Sequence, residues 1–408
     1  MNILDYGAIG DGKTINTEVI NIAVKDCASK GGGTVIIPAG VFLTGSIQLF
    51  SNVRLFLDNG AVLKSTAILD DFPIIGFKHN EMGDVTSLLW AMNEENISIC
   101  GNGVVDLSSD LTYSGYEIGS YLVDKSNLSE ERLTEGILPK NNERVNQPFF
   151  FESCKNINIE GIKMINSPCW TITFSRSRDI FVRSITINND LCVPNDDGIH
   201  FSSCENALVS DCNISCADDC IALTCITNFE GINKNITITN CNLRSRSAAV
   251  RIGHYADGVC ISNLNIYKSN RGIGIFTRNA SSITNVSISN IRIETFLLAG
   301  GWWGKAEPII IAATKEESVI ENISISNVVG ECENGIIIYG VNHNINNLSL
   351  NNIKINVNRT EYFSNYCTGL DLRPYKQIPN ENGPFLLYTE GMGKFSFNDV
   401  TVSFETNK

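Results

Sequence analysis

The chain has 408 residues, 43% of them hydrophobic and 18% charged, with a formal net charge of −13. That surplus of acid disfavours nucleic acid and anionic membranes as partners, and it makes a long polyanion an awkward ligand unless a local basic patch offsets the field. No apolar run approaches the ~18 residues of a membrane span, and the N-terminus has neither the basic nor the apolar region of a secretory leader, so a cytoplasmic protein is expected.

The first predicted element is a helix over Thr17–Lys30. Ile20, Ala23, Val24 and Cys27 fall at helical spacing, Thr17 is its expected N-cap, and Gly31-Gly32-Gly33 ends it. It reads as an amphipathic cap within about residues 1–45. A polar stretch from about Leu107 to Asn146 lacks strand spacing and is expected as a loop or short helices beside a cleft. Thr360–Gly383 reads as a similar excursion.

Between and beyond these stretches an internal repeat dominates. One strand type recurs at Asn96–Ile99, Asn156–Ile159, Asp179–Val182, Asn206–Val209, Asn235–Ile238, Gly258–Ile261, Asn285–Ile288, Asn322–Ile325 and Asn347–Leu350. A second is interleaved at Trp170–Phe174, Gly198–Phe201, Cys220–Leu223, Ala249–Ile252, Gly272–Phe276, Pro308–Ile311 and Gly335–Ile338. Short strands at a period of 23 to 29 residues, with no helices between them, predict one all-β domain over residues 1–408. The architecture is a single-stranded right-handed parallel β-helix whose stacked coils share one core. Asparagine at the repeated turn suits a left-handed backbone and a side-chain ladder, so most asparagines, and the many N-x-S/T matches, read as structural.

Two acidic turns carry the chemistry. Asn195-Asp196-Asp197-Gly198 and Ala217-Asp218-Asp219-Cys220 each precede a strand, and Asp219 follows Asp197 by 219 − 197 = 22 residues, about one coil. Stacked coils put such residues ~4.8 Å apart. Asp197, Asp218 and Asp219 then crowd one spot, and repulsion pushes at least one carboxyl pKa upward. A protonated acid beside ionised bases is what glycosidic hydrolysis needs. The alternative, that these acids only cap turns, suits a lone aspartate better than three on adjacent coils. The fourteen cysteines are expected as small buried side chains in a reducing compartment. Cys212, Cys216 and Cys220 lack the CxxC pairs and nearby histidine of a zinc site, so no metal and no other cofactor is expected.

The opening DYGAIGDGKTINTEVINIAVKDC…GGGTVIIPAGVFLTGSIQL resembles pectin-degrading β-helix proteins. NSPCW (166–170), NDDGIH (195–200) and ADDCIAL (217–223) resemble, in order, the NSPxW, NTDGI and GDDCIA motifs of glycoside hydrolase family 28, the polygalacturonases. The resemblance covers nearly the whole chain. It implies inverting hydrolysis without a cofactor, with Asp218 as general acid and Asp197 and Asp219 holding and deprotonating the attacking water.

Two departures stand out. Ala248 occupies the position of the family's histidine, and Gly274 and Phe276 replace an arginine and a lysine that resemble a carboxylate clamp. Losing both should cost ~1.5–3 kcal/mol per charge-assisted bond to a uronate. Counting along the strands puts His200, Arg251 and Gly274 in one column, so Arg251 is the expected compensating cation, with Arg278 a weaker one. Gly274 and Phe276 otherwise read as close ligand approach and a sugar-stacking ring. Trp303, in a glycine-flanked Trp302-Trp303 pair, is expected to line the cleft, and Glu307 to bond sugar hydroxyls or start a strand. Asn195 and His200 complete the expected substrate contacts. His254 is a weak candidate for the vacant histidine role, and Arg244, Arg246 and Arg271 read as turn or ladder charges.

The expected protein is therefore an inverting hydrolase that trims the ends of pectin-derived or related plant oligosaccharides. Its expected partner is the oligosaccharide, with neither nucleic acid nor membrane; the sequence leaves the oligomeric state open. The alternatives are a carbohydrate-binding relative without activity and, with less support, a polysaccharide lyase.

Overall fold

The computed structural model describes residues 1–117, 136–139, 144–226, 231–277, 280–298, 302–367, 369–373, 377–378 and 386–404. Strands of parallel register stack along the chain into a 20-stranded and an 11-stranded sheet, wrapped as a right-handed β-helix. The first predicted strand type falls within the larger sheet. The second forms the smaller one, in which Ile172–Ser175, Ile199–Ser202, Ile221–Thr224, Ala248–Gly253, Arg271–Thr277, Ile309–Ala313 and Ile336–Gly340 succeed one another. Alternate residues of every coil point inward, so Ile157, Ile180, Phe201, Leu223, Ile252 and Ile275 belong to one continuous buried core.

The repeated turn behaves as its asparagines require. Asn96, Asn156, Asp179, Asn206, Asn235, Asn285, Asn322 and Asn347 all adopt φ between 51° and 59°. Their side chains form a ladder: Asn156 Nδ2 donates to Asn96 Oδ1 at 2.8 Å and Asn235 Nδ2 to Asn206 Oδ1 at 3.1 Å. Asparagine tolerates the left-handed backbone, and its amide is both donor and acceptor, so each coil satisfies the next.

The helix Thr17–Ser29 buries Ile20, Ala23, Val24 and Cys27 over the N-terminal end of the core. Its N-cap position is Asn16 rather than Thr17. Thr17 Oγ1 instead accepts from Gly45 N at 2.7 Å, tying the helix to the first coils. All fourteen cysteines are free thiols; most are buried, but Cys260 is exposed and Cys225 half-buried, contrary to expectation for those two. No described helix is long and apolar enough to cross a membrane.

Of the polar stretch at 107–146, residues 118–135 and 140–143 lie outside the described residues. The remainder includes an antiparallel pair, Tyr113–Glu117 with Gly136–Pro139, and Arg144. The 360–383 excursion opens with a short helix, Glu361–Tyr366, capped by Thr360 Oγ1. It then returns through Leu370–Asp371 beside the end of the cleft.

Candidate active site

Ile199 pairs with Ile221, a shift of 22 residues, so the two acidic turns stack one coil apart. Gly198 N donates to Asp219 O at 2.9 Å, and Cys220 N to Ala248 O at 3.1 Å, which fixes the turns against each other and against the next coil. Asp197 and Asp219 are buried, and their oxygens lie within 4.8 Å of each other and of a ring nitrogen of His200. Asp218 is half-buried and faces a cleft of about 300 Å³, lined also by Trp170, Asn195, Asp197, Arg251, Trp302 and Trp303.

The electrostatics separate the three acids. Burial, then repulsion from Asp219, lifts the Asp218 carboxyl to about 7, with the Arg251 guanidinium opposing the shift. Burial pushes Asp197 well above the usual carboxylate range too, helped by Asp218 and Asp219. Asp219 has its own counter-ion: Arg251 Nη1 lies 2.9 Å from Asp219 Oδ2. Ala248 N also donates to Asp219 Oδ1 at 3.2 Å. The arrangement therefore offers a proton near neutral pH from Asp218 and an acceptor pair for water at Asp197 and Asp219. Asp197, His200 and Asp219 have the donor types of a cation site; the cation that faces Asp219 here is Arg251.

The predicted column is present: His200 pairs with Ala222, Ala222 with Arg251, and Arg251 with Gly274. His200 is wholly buried under Trp170, ring centroids 3.6 Å apart, with Nε2 3.4 Å from Asp197 Oδ2. Burial, reinforced by Arg251, keeps its imidazole neutral. His200 thus backs Asp197 rather than meeting substrate. Trp303 lines the cleft as expected, its ring 5.8 Å from Arg251 Cζ and 6.0 Å from Arg373 Cζ. Asn195 does too, but its Oδ1 is taken by Arg144 Nη2 at 3.0 Å.

Other expectations are corrected. Phe276 is no open sugar platform: it is 2% exposed and packs with Ile310, Ile337 and Leu372 in a second apolar cluster outside the coils. Its ring also accounts for Gly274, where a Cβ would lie 2.4 Å from Phe276 Cε2. Glu307 does not reach the cleft. It is wholly buried, accepts from Lys305 N at 2.7 Å and pairs with Arg271 Nε at 3.4 Å. Arg271 is accordingly a buried ion-pair partner, not a turn charge; its Nη2 donates to Asp371 O at 2.7 Å. His254 lies beside the cleft, but the group facing Asp219 is Arg251. Arg278 lies outside the described residues. Trp170, read as the start of a strand, precedes the strand and forms a cleft wall.

Two supporting residues escaped the sequence reading. Asp196 is wholly buried, and its Oδ1 accepts from Ala217 N at 2.6 Å and Asp218 N at 3.0 Å, so one acidic turn holds the backbone of the next. The signal was available, since the family motif has threonine there and this chain a second aspartate. Arg144 Nη1 donates to Pro194 O at 2.9 Å and to Tyr113 Oη, anchoring the Asn195 turn from the inserted stretch. Nothing local in the sequence ties Arg144 to a turn 51 residues away.

The profile of glycosyl hydrolases family 28 matches residues 134–371, more than half of the chain and both acidic turns. A grapevine (Vitis vinifera) protein named "Probable polygalacturonase" is 27% identical over 362 residues, 80% of this chain and 69% of that protein. An exo-poly-alpha-D-galacturonosidase of Dickeya chrysanthemi is 28% identical over 253 residues, 54% of this chain, which spans only 41% of that relative. The crystal structure of an exopolygalacturonase from Thermotoga maritima superposes with a TM-score of 0.64 at 22% identity, covering 87% of this chain and 91% of that one; it speaks for the fold. With the β-helix, the paired acidic turns and the profile match in agreement, the chain belongs to glycosyl hydrolase family 28 and is a glycoside hydrolase.

Proposed function

We propose that this protein removes terminal sugars from pectin-derived or related plant oligosaccharides by hydrolysis with inversion. The observation that carries the reading is the separation of roles among stacked acids: one carboxyl lifted to about 7 and facing the cleft, beside a pair of buried acids that share space for a water. Asp218 protonates the glycosidic oxygen as the bond to the anomeric carbon breaks. Asp197 and Asp219 hold a water on the opposite face of the ring, and Asp219, the acid with a guanidinium beside it, takes its proton. Asp197 Oδ1 has no hydrogen-bond partner among the described residues and is available to that water. Arg251 pairs with Asp219, and Trp170, Trp302 and Trp303 offer flat apolar faces to sugar rings.

Exo action is supported by Arg144 and Tyr113 of the inserted stretch, which crowd the Asn195 side of the cleft. The activity named for the Dickeya relative agrees with it. Fourteen free thiols fit work in a reducing compartment such as the cytoplasm, on short fragments rather than polymer.

The test is incubation of wild type and Asp218→Asn with pectic and neutral plant oligosaccharides, with products read by mass. Release of single sugars from chain ends by wild type only is expected. Equal release of internal fragments contradicts exo action, and binding without any product across the panel contradicts hydrolysis.

A further inference from the structure

Beside the catalytic cleft, past Arg251, lies a second, smaller chamber of about 30 Å³. It shares Glu81, Trp170, Arg251 and Trp303 with the cleft, so the two spaces are neighbours with a common wall. Its remaining lining includes Thr224, Gly253 and Phe276. Gly253 and Phe276 are register partners and so face the same side of the sheet. The chamber is open at this point because Gly253 has no side chain and because the Phe276 ring lies over Gly274. One or two water-sized groups fit, which is too little for a sugar ring. In a hexose or hexuronic acid the one ring substituent longer than a hydroxyl is the exocyclic C6 group.

The lining decides what state of C6 is admitted. Trp170, Phe276 and Trp303 give it apolar walls, and Glu81, Thr224, Cys225 and His254 line the rest beside Arg251. Its guanidinium, Arg251, is already paired with Asp219 and also faces Asp197, Asp218 and Glu81. A free uronate carboxylate entering here would be desolvated against a cation whose charge neighbouring acids already share. We infer that the enzyme selects a sugar whose C6 is uncharged, a methyl-esterified uronate or a reduced hexose, and seats that group in the chamber beside Arg251. The inference rests on the glycosidase reading of the cleft and names its substrate class.

The test separates the two. Asp218→Asn, which binds without turnover, is titrated calorimetrically with three matched galacturonate oligosaccharides: free acid, methyl ester and carboxyl-reduced. An uncharged form should bind about tenfold tighter than the free acid. A tighter methyl ester identifies the ester as the group that fills the chamber, and a tighter reduced form identifies the hydroxymethyl group. Gly253→Leu in the same background fills the chamber and should erase that preference. Gly253→Ala, whose Cβ would lie 3.3 Å from Leu223 O, is the milder variant and should narrow it. Free acid binding as tightly as the uncharged forms, or a preference untouched by both Gly253 variants, overturns the inference. Failure of wild type to cleave any oligosaccharide that Asp218→Asn binds overturns the hydrolase reading and leaves the charge preference decided by the titrations.

Discussion

Two groups of acids flank the cleft loops of the β-helix, and they are given different counter-ions. Glu307 and Asp371 each have an arginine: Arg271 pairs with Glu307, and Arg373 Nη2 lies 2.6 Å from Asp371 Oδ2. Together they tie down the loop that carries Trp302 and Trp303, since Gly304 N also donates to Asp371 Oδ2 at 2.8 Å. The Arg373 partnership, helped by the Arg271 charge, holds Asp371 below the usual carboxylate range despite its burial. Asp197, Asp218 and Asp219 share one arginine, and two of them are lifted far above that range. Asp371, with a cation of its own, locks structure; Asp218, beside an arginine already paired with Asp219, stores a proton; burial pushes Glu307 up despite Arg271. The difference between Asp371 and Asp218 lies in the counter-ions.

The sharpest way to break this comparison is the same chemical change in both groups. Asp218→Asn should lower turnover by about 10³-fold or more while substrate still binds. Asp218 binds its proton more tightly when folded, so its contribution to stability falls as pH rises from the ordinary carboxylate range through about 7. Asp218→Asn should therefore raise the melting temperature at pH 8. Asp371, held below the ordinary range, contributes stability above it and loses that contribution as pH falls. Asp371→Asn, or Glu307→Gln, should cost about 3–5 kcal/mol in chemical denaturation, the penalty for stripping one partner from a buried pair. Equal destabilisation by the Asp218 and Asp371 variants at pH 8 would erase the distinction.

A smaller effect is expected from the backbone support. Asp196→Ala frees the amides of Ala217 and Asp218 and should cost roughly 10–100-fold in kcat with little change in KM, as a displaced catalytic group does. Asp196→Asn keeps the accepting oxygen and should restore most of the rate; an asparagine variant as poor as alanine argues for charge instead of positioning. The pH profile sharpens the picture further. Activity should fall as pH rises through about 7, when Asp218 loses its proton. Arg251→Gln removes the cation that opposes this shift and should move that limb to higher pH, read from kcat against pH. The smallest effect belongs to the turn ladder: Asn235→Ala should cost about 1 kcal/mol of stability and leave kcat unchanged.

Periodic features were legible in the sequence because they are local and repeated. The turn asparagines, the capping helix, the 22-residue offset of the acidic turns and the His200–Arg251–Gly274 column all follow from counting along coils of nearly constant length. Features that depend on what covers a coil from outside were not. Phe276, facing out of its strand, and Glu307, just ahead of the next one, read as cleft until Leu370, Leu372, Asp371 and Arg373 fold over them from far downstream. Arg144 is the reverse case, a site-supporting residue delivered by an irregular stretch with no period to betray it. Arg251 was placed in the right column, but its partner Asp219 became visible only with the coils stacked.

The central claim is direct displacement by water across the ring from a protonated Asp218. Proton NMR in the first minutes of cleavage tests it most directly, because mutarotation has not yet mixed the anomers. The account predicts a new sugar whose anomeric configuration is opposite to that of the bond cleaved, absent with Asp218→Asn. A product of the same configuration would mean that a carboxylate of this cluster attacks the sugar itself, and would contradict the account.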